Sequence, residues 1–242
     1  MSDKKIENYN LLITPVKSLF KWAYRQDLIE HNIGEKIDLR KPRERQIEDY
    51  VWLVNGEISQ LLAACDSFRQ TLMCKFFLKT GMRVGRTEPQ REFCGLGWDD
   101  FNFEQRTVKV HGKGRGVEGK IRHAHFDTEL SDLLKEWRDE HRGGMPIYKD
   151  PGTVAIRVRG IARKAGISKL AEAEHPVHAL KHSFYTNWVL SRRKANLPED
   201  LRGLSAQVGT GIKTLDVYVH IAQEFLKPSY DETMRLQDRE VG

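Results

Sequence analysis

Cysteine is scarce in this chain of 242 residues. Cys65, Cys74 and Cys94 are odd in number and never form C-x-x-C. That argues against both a disulfide framework and a zinc site, so all three are read as reduced core residues. Long apolar runs are also missing. No stretch approaches the roughly 20 apolar residues that span a bilayer, and the N-terminus carries no signal-peptide-like segment. A cytoplasmic location without a membrane partner is expected by default. A strong excess of one charge is lacking too: 40 Lys and Arg face 34 Asp and Glu, a net charge of +6. Alone, that balance says little about a polyanionic partner.

What is present is a surface-rich globule, 39% hydrophobic and 31% charged. The length suits one large domain, or one domain plus a small one. Cations gather in four places: Arg40-Lys41-Pro42-Arg43-Glu44-Arg45, Arg106 to His125, Arg157 to Lys164, and Arg192-Arg193-Lys194. One such cluster is usually a solvated face, but four separated clusters lean toward nucleic acid. Arg43, Arg45, Arg115, Lys120 and Arg122 are the candidate contacts within them.

Along the chain, residues 1 to about 30 carry helical periodicity, with Thr14-Pro15 reading as a helix restart. Residues 35 to 50, with Pro42, form the best linker. The expected division is a partial helical domain and basic linker over 1–45, then a larger domain over 46–242. Two amphipathic helices follow Asn55, the second ended by Gly81. A third is expected to open with Thr80 to Gly85 and reach Leu96, disturbed by Pro89. Two short alternating runs, Thr107 to His111 and Lys120 to Phe126, flank a Gly- and cation-rich hairpin tip, Gly112 to Gly116. Helices are expected at Glu129 to His141, Thr153 to Ala165, Val177 to Ser191, Glu199 to Val208, Ile212 to Ile221 and Phe225 to Leu236. The fold class is mainly α with a small antiparallel β-sheet.

The candidate chemistry centres on His178 to Tyr218. His178 and Lys181 are three apart and share a helical face. A tyrosine, Tyr218, follows a Gly-rich turn. Cation, imidazole and phenol together can grip a phosphate and attack it. Taken singly, Arg83, Lys113, His178, Lys181 and Tyr218 have ordinary readings as surface cations, a half-buried histidine and a core tyrosine. Their order is more specific: T-G-M-R-V-G at 80–85, W-D-D-F at 98–101, G-K-G at 112–114, H-A-L-K-H-S-F at 178–184 and I-K-T-L-D-V-Y-V-H-I at 212–221. This set resembles the tyrosine recombinase, or phage integrase, family over roughly residues 50 to 222. The segment V-K-S-L-F-K-W-A-Y-R-Q-D-L-I-E-H-N at 16–32 resembles the last helices of that family's core-binding domain.

The resemblance implies a clamp on duplex DNA and strand exchange without metal or other cofactor. Tyr218 would attack a backbone phosphate, leaving a 3′-phosphotyrosyl link and a free 5′-hydroxyl. Arg83 would grip the non-bridging oxygens. Lys113 would protonate the leaving oxygen, and His178 would sit beside the phosphate. Double-stranded DNA and further copies of the chain, as a tetramer on DNA, are the implied partners.

Three departures stand beside the resemblance. The family's H-x-x-R box is His178-Ala179-Leu180-Lys181 here, which keeps the charge and loses the planar fork. The G-H or tryptophan expected before the tyrosine is replaced by Gly209-Thr210. The run Arg86 to Arg91 interrupts R-x-x-E-L, which resumes at Glu92. These departures keep an alternative open, a homologue that binds DNA without cleaving it.

Overall fold

The computed structural model describes residues 3–40, 50–85, 92–112, 120–140, 145 and 147–224. The chain divides into two compact units, residues 1–46 and 47–242.

The first unit is built on α1 (Asp3–Arg25). Pro15 lies inside this helix, so the expected restart does not occur. Proline removes the amide that would bond the carbonyl of residue 11. Leu11 lies on an exposed stretch of the helix. The Thr14 hydroxyl donates to the Asn10 carbonyl at 2.7 Å in the same turn. A 3-10 turn at Ile33–Lys36 returns the chain, and Asn10 ties down Arg40 through both its backbone groups at 2.7 and 3.0 Å.

The second unit carries the main core. α2 (Asn55–Ala63) begins where Glu57 accepts from the Val54 amide at 2.9 Å. α3 (Phe68–Thr80) begins at the Ser67 cap and stops at Gly81. Gly81 has φ of 63°, and a Cβ there would stand 2.3 Å from the Phe184 ring. Only glycine meets both demands, left-handed backbone and close approach. That contact lets α3 pack on α7 (Pro176–Lys194), the longest helix of this unit among the described residues.

The helix expected to open with Thr80 to Gly85 and reach Leu96 is not formed by the residues described there. Instead, Phe93 N donates to the Arg83 carbonyl at 3.3 Å, and Cys94 N to the Val84 carbonyl at 2.9 Å. Backbone groups of 83–84 are therefore satisfied across the chain, not four residues back. Gly85, at φ 67°, fits beneath Glu92. Short 3-10 turns follow at Phe93–Gly95 and Trp98–Asp100.

The sheet has three antiparallel strands in the order β1 (Phe101–Asn102), β2 (Thr107–Gly112), β3 (Lys120–His125). β1 was not expected: two residues are too few for an alternating pattern to show. Register pairs Val108 with Ala124 and Val110 with Arg122. Paired residues share a face, and Val108, Val110 and Ala124 are fully buried. Arg122 therefore stands on the inner face.

α4 (Thr128–Glu140), α5 (Pro151–Lys164), the short α6 (Ser168–Ala171) and α7 close the main core. α9 (Ile212–Glu224) packs on α7, and α8 (Leu201–Val208) on β3 and α9. The three helices share a second apolar cluster of Phe184, Tyr185, Leu204, Val208, Leu215, Tyr218 and Ile221. The tail expected as a helix from Phe225 to Leu236 lies outside the described residues. Among those described, no helix is long and apolar enough to cross a membrane.

Candidate active site

Glu92 organises the site. Its carboxylate is 2% exposed and accepts from the Arg83 amide at 2.8 Å. It also pairs with the Arg83 guanidinium at 3.2 Å and with Arg122 at 3.2 Å. A buried carboxylate held by three donors offsets its lost hydration. Arg83, about one-third exposed, then points a second nitrogen at the Thr210 hydroxyl, 3.4 Å away. Thr210 also meets the Tyr185 hydroxyl at 3.2 Å, and its carbonyl accepts from Ser205 at 2.8 Å.

Lys181 comes from α7, 6% exposed. Its ammonium lies 5.2 Å from the Tyr185 ring centroid. Burial, the largest cause, and then the Arg83 guanidinium bring its pKa down to about 7. Arg122 lowers it further, and Glu92 opposes the shift. Burial likewise pushes the Tyr185 phenol up to about 12, against the pull of Thr210 and Arg83. The charges acting on Lys181 are thus two guanidiniums and one carboxylate. With Lys181 protonated the group carries a net +2, an arrangement that favours an anion.

Tyr218 lies one ring further on. It is 2% exposed on α9. Its ring packs edge-on to Tyr185, centroids 4.9 Å apart, and its hydroxyl shares a short hydrogen bond with His182 Nδ1. Tyr50 packs edge-on to His182 at 5.3 Å and to Tyr218 at 5.9 Å. Tyr185 therefore joins the two halves, touching Thr210 and Lys181 on one side and Tyr218 on the other.

Of the residues singled out from sequence, Arg83 and Lys181 come together around Glu92, and Tyr218 lies across Tyr185 from them. His178 sits on the exposed rim of α7, its ring 5.5 Å from His175. Arg122 turns inward onto Glu92, not toward the surface expected for a DNA contact. Lys113, Arg43, Arg45 and Arg115 lie outside the described residues. Lys120 opens β3, and only its backbone is described.

Sequence reasoning gave no role to His182, Glu92 or Tyr185. Each left a signal. His182 is one turn beyond His178 in H-A-L-K-H, and Tyr185 is one turn beyond Lys181. Glu92 is where R-x-x-E-L resumes after the interrupting run, although no contact was assigned to it.

The site is thus a set of cations gathered on a buried carboxylate beside a hydrogen-bonded phenol, on a mostly helical fold with a three-stranded sheet. The phage integrase family model matches residues 52–199, and the chain belongs to that family. The match ends before Thr210 and Tyr218. Among curated proteins the chain is similar to tyrosine recombinase XerC of Bacillus subtilis (strain 168), 26% identical over 90% of this chain and 71% of the relative. Among solved structures it resembles XerA recombinase, with TM-score 0.59 and 22% identity over 96% of this chain and 83% of the other. It also resembles XerH site-specific recombinase bound to its difH substrate, with TM-score 0.56 and 21% identity over 93% and 68%.

Proposed function

We propose that the chain is a site-specific tyrosine recombinase that cuts and rejoins duplex DNA through a 3′-phosphotyrosyl intermediate. One observation carries this reading. Arg83, Lys181 and Thr210 converge on one small space, and Tyr185 links that space to a tyrosine whose hydroxyl meets an imidazole. The relatives named above, recombinases by name, support it.

The chemistry follows from the atoms. The Tyr218 hydroxyl oxygen bonds to phosphorus as its proton passes to His182 Nδ1, and the bond from phosphorus to the 5′-oxygen breaks. Arg83 and Lys181 meet the charge that grows on the non-bridging oxygens, and Thr210 adds a neutral donor. The leaving 5′-oxygen takes a proton, a role proposed for Lys113. No cofactor is required, because the phosphotyrosyl bond conserves the energy of the one broken. His178, at the rim, is proposed to donate to the same phosphate. Arg43, Arg45, Arg115 and Lys120 are proposed to contact the DNA backbone. Residues 1–45 are proposed as part of a core-binding domain, and the working form as a tetramer on DNA.

Tyr218 must rotate out of its apolar cluster before it attacks, since only 2% of it is exposed. That burial favours the second reading, a homologue that holds DNA without cutting it. A DNA duplex nicked beside the cleavage position separates the two. A covalent adduct that disappears in Tyr218→Phe supports the recombinase. Salt-sensitive binding with no adduct from the parent protein supports the second reading.

A further inference from the structure

Arg122 borders the site, and the family resemblance leaves it without a role. It stands on the inner face of β3, opposite the fully buried Val110, where an apolar side chain would ordinarily complete the core. Its side chain is only 9% exposed. Two acceptors hold it. Nη2 pairs with Glu92 at 3.2 Å, and Nε donates to the Gln207 carbonyl at 3.2 Å. Gln207 lies in the last turn of α8, where carbonyls lack helical partners. Gly209 follows at φ 63°, and a Cβ there would stand 3.1 Å from both Cδ and Nη1 of Arg122. The turn that carries Thr210 thus lies directly against this guanidinium. Gln207 locks the same corner from its other end, accepting from the His125 amide at 2.8 Å and donating to the His125 carbonyl at 2.8 Å.

We propose that Arg122 is a positioning residue for the phosphate site. Its guanidinium clamps Glu92 and the end of α8 at once, so that Glu92 holds Arg83 and the Gly209–Thr210 turn stays within reach of the Arg83 guanidinium. The planar fork is essential to this task, because two acceptors on different elements must be met in one plane. Arg122 also completes the charge around Lys181. The groups facing Lys181 are Arg83 and Glu92 from the loop after α3, Arg122 from β3 and the Tyr185 ring from its own helix.

The inference rests on the proposed recombinase reading, and the experiment separates the two. Full-length protein carrying 13Cε-lysine is titrated by NMR, with Lys181 assigned by the signal lost in Lys181→Arg. Arg122→Gln removes a repelling cation and is expected to shift the Lys181 midpoint upward. Glu92→Gln removes an attracting carboxylate and is expected to shift it downward. This measurement needs no DNA and holds whether or not the protein cleaves. In parallel, Arg122→Lys keeps the charge and loses the fork. On the nicked duplex it is expected to form adduct at least tenfold more slowly, with DNA affinity within threefold of the parent. A Lys181 midpoint unmoved in Arg122→Gln overturns the proposal. So does an unchanged adduct rate in a folded Arg122→Lys. If the parent forms no adduct while the midpoints move as stated, the charge arrangement of Arg122, Glu92 and Lys181 stands and the recombinase reading falls.

Discussion

Lys181 gives the sharpest physical test of the site. Its ammonium is nearly buried, and its pKa falls from 10.5 to about 7. The unfolded chain keeps the lysine protonated to about 10.5, so between about 7 and 10.5 the folded protein holds one proton fewer. Stability contributed by this group therefore rises with pH across that window, and its cost is felt in full below about 7. The fall from 10.5 to about 7 corresponds to at most about 5 kcal/mol. Water reaching the ammonium leaves an expected cost of about 3 kcal/mol. Lys181→Met keeps a similar stem and deletes the charge, leaving Glu92 paired with Arg83 and Arg122. At pH 6 the variant should melt roughly 6–12 °C above the parent. The gap should narrow from pH 7 upward and nearly close by about pH 10. Thermal melts of both proteins by circular dichroism, from pH 6 to 10, supply the measurement. Every other titrating group is common to the two and cancels in the difference. A gap independent of pH, or a variant less stable at pH 6, refutes the reasoning.

Three further outcomes follow from other contacts. His182→Phe keeps a ring beside Tyr50 and Tyr218 but removes Nδ1. Adduct on nicked DNA should form roughly 10²–10⁴-fold more slowly at unchanged affinity, and an unaltered rate would remove His182 from the proton path. Gly81→Ala forces a Cβ into left-handed backbone and toward the Phe184 ring. A loss of about 2–3 kcal/mol in urea melts is expected, and a cost under about 0.5 kcal/mol contradicts the close-packed reading of α3 on α7. Glu129, half-exposed, is held at about 2 by Lys75 and then Lys79. Its depressed pKa contributes stability above the usual carboxylate range that is lost as pH falls from about 4.5 toward 2. Solvent screening keeps the cost of Glu129→Gln at pH 7 below about 1 kcal/mol, and a measured cost above about 2 kcal/mol sinks that estimate.

Much of the helical framework was legible because periodicity and caps agree. Asp150 before Pro151 starts α5, and Asp200 starts α8 by accepting from Gly203 at 2.7 Å. Gly81 ends α3 as its sequence position suggests. The segment after Gly81 was misread as a third helix, although Met82 and Val84 stand two apart, a spacing that suits a paired segment better. What decides against a helix is non-local: the Glu92 side chain and the 93–94 amides claim the groups of Arg83 and Val84. Pro15 misled in the opposite direction, since an exposed helix face tolerates the missing bond. In the site, Arg83, Lys181 and Tyr218 were legible by order and motif. Glu92 was legible as the residue where R-x-x-E-L resumes, but its burial was not, and Arg122 was read as a DNA contact, because a charge buried by its partner looks like any surface charge in sequence. The one available clue was register, which sets Arg122 opposite Val110 and Ala124 opposite Val108, among inward positions.

That register also changes what the lysine at 181 means. Read alone, the loss of an arginine fork there weakens a phosphate site, by roughly 10²–10³ in rate if one transition-state donor is lost. Read with Arg122, it balances charge. Arginine at 181 would place three permanently charged guanidiniums around Glu92, in a space where Lys181 is 6% and Glu92 2% exposed. Guanidinium cannot discharge, whereas an ammonium can. With Lys181 near its midpoint at neutral pH, the empty site sheds part of its excess charge. A phosphate entering beside it favours the protonated form and restores the third cation where negative charge develops. On the proposed function, the inward Arg122 and the lysine at 181 are therefore coupled features of one electrostatic arrangement. The substitution then ceases to be evidence of decay by itself.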